Sequence, residues 1–267
     1  IEHGEYDTPV AIPADGEMAL LGSALATMQQ GIREREAHIR HQADHDDVTG
    51  LPNRRHLARA CGHRNEPYTL CLLALTDLKN ARFSFGHDAA DALLVAVGDR
   101  LGREADAAMV ARVSGHEFAL VLPAMPAEAA LDRARALRDV AAGPHSAGPH
   151  ELGAAVACAV IAYPDDAADF QTLYRGAETS LDLARDHDGG CVAYLPGHEA
   201  LRARQLDIIA SFDAACRKNQ LSLRYQPKVD LGTRTAIECE ALLRWEHPTL
   251  GFVPPDEFIL LAERSGN

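Results

Sequence analysis

"RVSGHEFALVL" (Arg112–Leu122) reads as a strand, a tight turn and a second strand. Val113, Val121 and Leu122 are its apolar flanks, and Ser114, Gly115, His116 and Glu117 lie between them. Charged residues at a hairpin tip form either a solvated turn or a site held on a rigid scaffold. The flanking sequence supplies a scaffold. "YTLCLLAL" (68–75) is a short apolar run bounded by polar stretches, the pattern of a buried strand. Ala89, Ala92, Leu93, Ala96 and Val97 have helical spacing and predict a helix over 88–103. Beyond the hairpin, helices are expected near 126–141 and 169–186, with strands at 153–162 and 191–195. Residues 46–195 therefore form an α/β unit whose central sheet is mixed, partly antiparallel because of the hairpin. "GPHSAGPHE" (143–151) reads as a surface loop.

Upstream, residues 15–45 carry one long helical pattern. Met18, Leu21, Leu25, Met28, Ile32 and Ile39 follow steps of 3, 4, 3, 4 and 7. An amphipathic helix lying on the next domain would show a similar stripe, but the sustained 3.5 period favours a dimerising coiled coil. His38, His41 and His45 share one face of this helix with Asp44 and Asp46 nearby. They fit either a zinc face or a solvated face. No cysteine or orienting partner accompanies them, which favours the solvated face.

Downstream, a helix is expected over 198–219. "LSLRYQPKV" (221–229) and "AIECEALLRW" (236–245) read as two strands joined by the turn "DLGTRT". "PPDEFILLAERSG" (254–266) opens a helix, with proline at its first turn and acids early in it. Two strands and two helices are too few to enclose a core, so this segment reads as the opening of a larger domain.

Composition narrows the class. The chain has 267 residues, 47% hydrophobic and 24% charged, which fits globular domains and allows more than one. Its formal net charge of −13 argues against nucleic acid as a partner. The six cysteines show no CxxC spacing and read as buried, reduced side chains. No apolar run approaches the roughly 20 residues of a membrane span. The abrupt ends at Ile1 and Asn267 suggest a portion of a longer protein.

"HDDVTGLPNRRHL" (45–57), "FGHDAAD" (85–91) and the hairpin together resemble the GGDEF domain of the diguanylate cyclase family. The resemblance makes Ser114, Gly115, His116, Glu117 and Phe118 the signature loop. Such an enzyme joins two GTP molecules by phosphoryl transfer, which needs divalent metal held by carboxylates. The resemblance puts one metal carboxylate at Ala74 and the other at His116, so both are replaced. It puts the guanine-reading asparagine at Arg82, with its partner kept as Asp91, and a family lysine at Lys79. Asp77 lies three residues past Ala74 and points elsewhere. Imidazole is a poor magnesium ligand. The expectation is a degenerate GGDEF domain with no cyclase activity and no metal cofactor, with Lys79 and Asp91 left for residual GTP binding. The family's inhibitory product site falls on Ala105 and Ala108, so it too is expected to be lost.

"YQPKVDL" (225–231), "EALLRW" (240–245) and "HPTLGFVPPDEFILLAE" (247–263) resemble the start of an EAL domain, a phosphodiesterase of cyclic dimeric GMP. Along the second strand Glu238, Glu240, Leu242 and Arg244 alternate onto one face. Ile237, Cys239, Ala241, Leu243 and Trp245 take the other, which is expected to pack under helices. The resemblance implies that Glu240 is catalytic and a ligand of Mg²⁺ or Mn²⁺. It implies that Arg244 holds a substrate phosphate, and that Gln226 and Leu242 contact the nucleotide. "GEMALLGSALATM" (16–28) resembles the second helix of a HAMP module, a membrane-proximal relay.

The expected fold class is α/β with α+β character. Residues 1–45 are a HAMP-like coiled-coil helix, 46–196 a degenerate GGDEF domain with a mixed central sheet, and 197–267 the start of an EAL (TIM-like) barrel. The parent is expected to be a homodimeric, membrane-attached bacterial signalling protein with these parts in the cytoplasm. One reading has it hydrolyse cyclic-di-GMP to the linear dinucleotide pGpG, with this truncated chain inactive. The alternative is a receptor that binds cyclic-di-GMP or GTP and relays the signal through the helix.

Overall fold

The computed structural model describes residues 17–147, 150–186 and 190–265. They form two compact units that divide between Leu195 and Pro196. The first unit begins with α1 (Glu17–Asp44), α2 (Arg54–Gly62), β1 (Tyr68–Leu75), α3 (Leu78–Phe85) and α4 (His87–Glu104). The hairpin β2 (Met109–Ser114) and β3 (Glu117–Pro123) and then α5 (Ala127–Ala142) follow. Next come β4 (His145–Ala147), β5 (His150–Leu152), β6 (Val156–Tyr163), α6 (Phe170–Asp186) and β7 (Cys191–Ala193). The main sheet has the order β2-β3-β1-β6-β7. β1 runs antiparallel to both β3 and β6, and β6 pairs with β7 in parallel.

β1 reads as an unbroken apolar run because both its faces are covered. Cys71, Leu73 and Leu75 share a core with Leu93, Leu94 and Val97 of α4 and Leu137 of α5. Leu70, Leu72 and Ala74 share the opposite core with Leu57 of α2 and Leu173 and Leu181 of α6. α4 closes tightly on the hairpin at Gly98. A Cβ there would lie 2.9 Å from Leu51 Cδ1 and 3.4 Å from Phe118 Cε1.

Two short helices, α2 and α3, stand where no element is expected, because two turns carry too little periodicity to detect. Asn53 starts α2: its side chain accepts from the His56 amide at 3.1 Å and donates to Ala43 O at 2.9 Å. The end of α1 and the start of α2 are thereby tied together.

Two expectations need correction. The stretch 143–151 is not a plain surface loop. β4 and β5 pair within it, His145 and Ala147 are buried, and the His145 ring reaches Ala141 O at 2.9 Å. The cysteines are not uniformly buried and reduced. Cys158 and Cys191 sit opposite each other on β6 and β7, with Cα atoms 4.6 Å apart, and form a disulfide. Cys216 and Cys239 are exposed, and only Cys61 and Cys71 fit the expectation. Pairing of strands distant in sequence created the disulfide, which no local spacing reveals. On α1, His38 and His41 are exposed, and His45, just past its end, is half-buried. His41 and His45 stack face to face with centroids 3.9 Å apart.

The seam of α1 is only half covered. Leu25 and Ile32 are half-buried, whereas Met28 and Ile39 are 62% and 63% exposed. The side chains of Met18 and Leu21 lie outside the described residues. Among the described residues no helix is long and apolar enough to cross a membrane.

The second unit consists of α7 (His198–Arg217), β8 (Leu221–Val229), β9 (Ala236–His247), β10 (Gly251–Val253) and α8 (Pro255–Ser265). Its sheet order is β10-β9-β8. Contrary to the expectation from two strands and two helices, it has a small core of its own. Trp245 is fully buried among Ile208, Ala215, Val253, Phe258 and Leu261. The third strand and the indole make this core sufficient. The apolar face of β9 packs under helices only at this end. Ile237 is 64% exposed, and Cys239 and Ala241 are exposed with it.

Candidate functional site

The hairpin tip is built into a frame. Ser114 pairs with Glu117, the ladder shifts register between Arg112 and Ser114, and Gly115 and His116 form the turn. Arg112 holds this tip from within. Only 7% of its side chain is exposed. It donates to Asp46 Oδ1 at 2.7 Å and to Gly115 O at 2.8 Å. Its backbone amide donates to Pro52 O at 2.8 Å. Asp46 is fixed in turn by the Thr49 amide at 2.9 Å and hydroxyl at 2.8 Å. Burial pushes the Asp46 carboxyl up, but the bonds from Thr49 and Arg112 outweigh it and leave the pKa lowered. Gly50 closes this turn at φ +68°, a conformation that favours glycine. The segment "DDVTGLPNRR" thus serves as the hairpin's brace.

Ala74 is fully buried in β1, opposite Glu117 on β3 and Ala157 on β6. Asp77 does not replace it. Its Oδ1 accepts the Ala155 amide at 3.1 Å, which fixes the exit of β1 against β6. Glu117 is held by Arg185 of α6 at 2.6 Å, and His116 Nε2 lies 3.3 Å from the same guanidinium. Asp91 forms an ion pair with Arg82 at 3.8 Å. The carboxylates around the tip are therefore engaged with cations or amides.

Beside the tip lies a cavity of about 250 Å³, lined by Leu75, Thr76, Leu78, Lys79, Arg82, Gly115 and His116. Lys79 lines it, and Asp91 meets it only through Arg82. Ser114 and Phe118 belong to the frame, and Phe118 is fully buried. A divalent ion with two carboxylate ligands does not fit this donor set, because lysine, guanidinium and imidazole supply no hard anionic oxygen.

Two residues that shape the site escaped the sequence reading. Arg112 is an inward-facing charge within an apolar hairpin, a signal that was legible. Arg185 lies 68 residues from Glu117, and nothing local betrays their pairing.

In the second unit the register of β8 and β9 places Gln226 opposite Glu240, Arg224 opposite Leu242 and Ser222 opposite Arg244. Cross-strand partners share a face, so Gln226, Glu240, Leu242 and Arg244 do come together on one side of the ribbon. Glu240 and Gln226 are exposed, while Leu242 and Arg244 are half-buried. Arg244 donates to Leu243 O at 2.9 Å, and Lys228 pairs loosely with Glu238 at 3.9 Å. Glu240 is the one carboxylate of the four residues and could hold a cation only with ligands added from elsewhere.

Comparison with known proteins agrees with both units. Residues 43–190 match the family model "Diguanylate cyclase, GGDEF domain", and residues 209–267 match the EAL domain model. The chain is 30% identical over 232 residues to MucR of Pseudomonas aeruginosa, described as a bifunctional diguanylate cyclase/cyclic di-GMP phosphodiesterase. That match covers 83% of this chain and 34% of MucR. It is 31% identical over 242 residues to NbdA of the same organism, described as a cyclic di-GMP phosphodiesterase, covering 86% and 30%. The chain therefore spans about a third of the length of these relatives. Among solved structures, the S helix-GGDEF-EAL portion of LapD from Vibrio cholerae, bound to c-di-GMP, superposes with a TM-score of 0.54. It covers 88% of this chain and 57% of that one at 16% identity, a likeness of fold alone. With its hairpin, its brace and more than half its length matching one domain model, the chain belongs to the GGDEF family and carries an EAL segment behind that domain.

Proposed function

We propose that this chain is the regulatory portion of a cyclic-di-GMP signalling protein, in which a GGDEF domain without cyclase activity controls an EAL phosphodiesterase. The observation that carries this reading is the donor set at the tip: Ala74 and His116 stand where metal carboxylates are needed, and Asp77, Asp91 and Glu117 are already engaged. Phosphoryl transfer between two triphosphates depends on metal to neutralise developing charge, so losing both carboxylates removes the reaction while leaving the fold. GTP turnover with Mg²⁺ or Mn²⁺ tests this. The expected product is none above a His116→Ala, Glu117→Ala control, and dinucleotide above that control would overturn the reading.

The EAL segment keeps its polar face. In a protein carrying an EAL domain of family length, Glu240 would be one ligand of Mg²⁺ or Mn²⁺, and such an ion supplies a water of lowered pKa for cleavage to pGpG. Arg244 would hold a phosphate, with Gln226 and Leu242 against the nucleotide. The chain alone is expected to hydrolyse nothing. The second reading, a non-catalytic receptor of cyclic-di-GMP or GTP, is favoured by the cationic lining of the cavity near Lys79. Either way α1 acts as the input helix, HAMP-like and membrane-proximal in the whole protein, on its cytoplasmic side. The exposed Met28 and Ile39 support a parallel dimer through α1. Sedimentation should show a dimer that Leu25→Glu with Ile32→Glu converts to monomer, and a wild-type monomer at high micromolar concentration would count against it.

A further inference from the structure

A second cavity lies away from the hairpin, lined by residues of α2 and α6. Its volume is about 430 Å³, against about 250 Å³ beside the tip. Of the two, only this one reaches the usual range of small-molecule pockets, roughly 300–1,000 Å³. Its apolar lining is Ala58, Phe170 and Tyr174, and the two rings have centroids 5.7 Å apart. Its polar lining is Arg54 from α2, with Gln171, Arg175 and Glu178 from α6. The residues of α6 recur at steps of one and three, one continuous face of a helix.

Arg54 is pre-positioned. Its guanidinium carbon lies 4.4 Å from the centroid of the Tyr174 ring, a cation–π contact that orders a long side chain. Its ion pair with Glu178 is 3.9 Å long, beyond hydrogen-bond range. Glu178 is itself a weakened competitor for that cation. Burial and the charges of Glu117 and Asp182 push its carboxyl up against the pull of Arg54. Two guanidiniums from different helices, beside two aromatic rings, make a donor set with both a charged end and a flat apolar end.

We propose that this groove binds a planar aromatic or heteroaromatic anion, its ring against Phe170 and Tyr174 and its phosphate or carboxylate on Arg54 and Arg175. An inorganic anion would leave the aromatic lining wet, and a neutral ring would make no use of the two guanidiniums. Such a ligand braces α2 against α6. α2 is tied through Asn53 to the end of α1, and α6 holds the hairpin through Arg185 and Glu117. The inference does not depend on the reading of the hairpin or of the EAL segment.

Calorimetry on the full chain tests it with four probes: adenosine 5′-monophosphate, benzoate, adenosine and inorganic phosphate. At least one probe combining ring and anion should bind about tenfold more tightly than adenosine and phosphate, and the better of the two identifies phosphate or carboxylate as the charged end. Arg175→Glu on the exposed side of α6 and Ala58→Trp within the groove should each weaken that binding at least about tenfold, with unchanged far-UV circular dichroism. Lys79→Ala, in the other cavity, should leave it intact. Three results would overturn the proposal. One is binding of none of the probes at about 10 mM. Another is phosphate binding as tightly as the nucleotide. The third is binding that Lys79→Ala abolishes and Arg175→Glu does not.

Discussion

The hairpin β2–β3 and the ribbon β8–β9 carry the two motifs of the chain, and they differ in what surrounds the motif. Around the hairpin tip, Phe118 is fully buried, Arg112 bonds Asp46 and Pro52 of the brace and Gly115 of the turn, and helices cover both faces of the sheet. Around Glu240 the ribbon is open. Gln226 and Glu240 are exposed on one face, and Tyr225 and Ile237 on the other. The first region has its frame, with Ala74 buried in it and His116 at its turn. The second has its polar residues and little frame. Frame residues such as Phe118 and Arg112 sit inside, where exchange costs packing. Gln226 and Glu240 sit at the solvent edge, where exchange costs little packing.

The strongest test of this contrast concerns the ribbon. In a protein that extends the segment to a whole EAL domain, Glu240→Ala should abolish metal-dependent cleavage of cyclic-di-GMP, because a negative ligand leaves the metal. Arg244→Ala should act mainly on binding, by about 1.5–3 kcal/mol, the worth of a charge-assisted contact. Cleavage is measured on the wild type and both variants with Mg²⁺ and with chelator. Equal turnover by wild type and Glu240→Ala would show that the ribbon's polar face is not the chemistry, and binding without cleavage would promote the receptor.

A pair of truncations separates the two frames. Phe258 packs edge-on to Trp245 with centroids 5.3 Å apart. Phe258→Ala should cost about 3–5 kcal/mol. That is most of what a core this small supplies, roughly 3–5 kcal/mol. Trp245 is the chain's one tryptophan, so its fluorescence reports the second unit. The variant should lose that signal's native transition at room temperature. Arg112→Ala breaks a buried pair, typically about 3–5 kcal/mol, reduced to about 2–3 kcal/mol here because Asp46 keeps partial exposure to water. It should lower the far-UV transition of the first unit and leave the tryptophan transition in place. If Phe258→Ala and Arg112→Ala shift both signals alike, the two regions are one cooperative structure and the contrast fails.

What was legible in the sequence follows the same division. β1, α4, the hairpin, β6 and α6 announce themselves because each buries a long apolar face with a clear period. α2, α3 and the β4–β5 hairpin are too short for period to show. The candidate residues on β8 and β9 came from the resemblance to EAL domains; alternation put Glu240, Leu242 and Arg244 on one face, and register pairs Gln226 with Glu240. Arg185 on Glu117, Arg82 on Asp91 and the Cys158–Cys191 bond were out of reach, since each joins side chains that only the folded sheet and helices bring together. The groove between α2 and α6 was hidden for the same reason.

The smallest effect expected is a two-step loss of stability in acid, followed here in the first unit. Burial, reinforced by Arg100, holds the His145 imidazole below its ordinary pKa of 6.5 despite its bond to Ala141 O. The unfolded chain therefore takes up that proton more readily than the folded one. The contribution of His145 is complete above pH 6.5 and falls as pH drops through the lowered folded value. Asp46 is likewise below its ordinary 3.8, so its contribution is complete above that pH and is lost as pH falls further. Both groups act in the same direction, in separate windows. Melting temperature of the first unit, followed from pH 8 to about pH 3, should decline gently below 6.5 and again below 3.8. His145→Gln should remove the upper decline and keep the lower, while Asp46→Asn should shrink the lower decline, to which Asp44 and Asp169 also contribute, and keep the upper at a reduced starting stability. An upper decline that survives His145→Gln would mean that the β4–β5 hairpin does not bury its histidine in solution. A lower decline as large after Asp46→Asn as before it would mean that the brace of the hairpin is not held by the charge of Asp46.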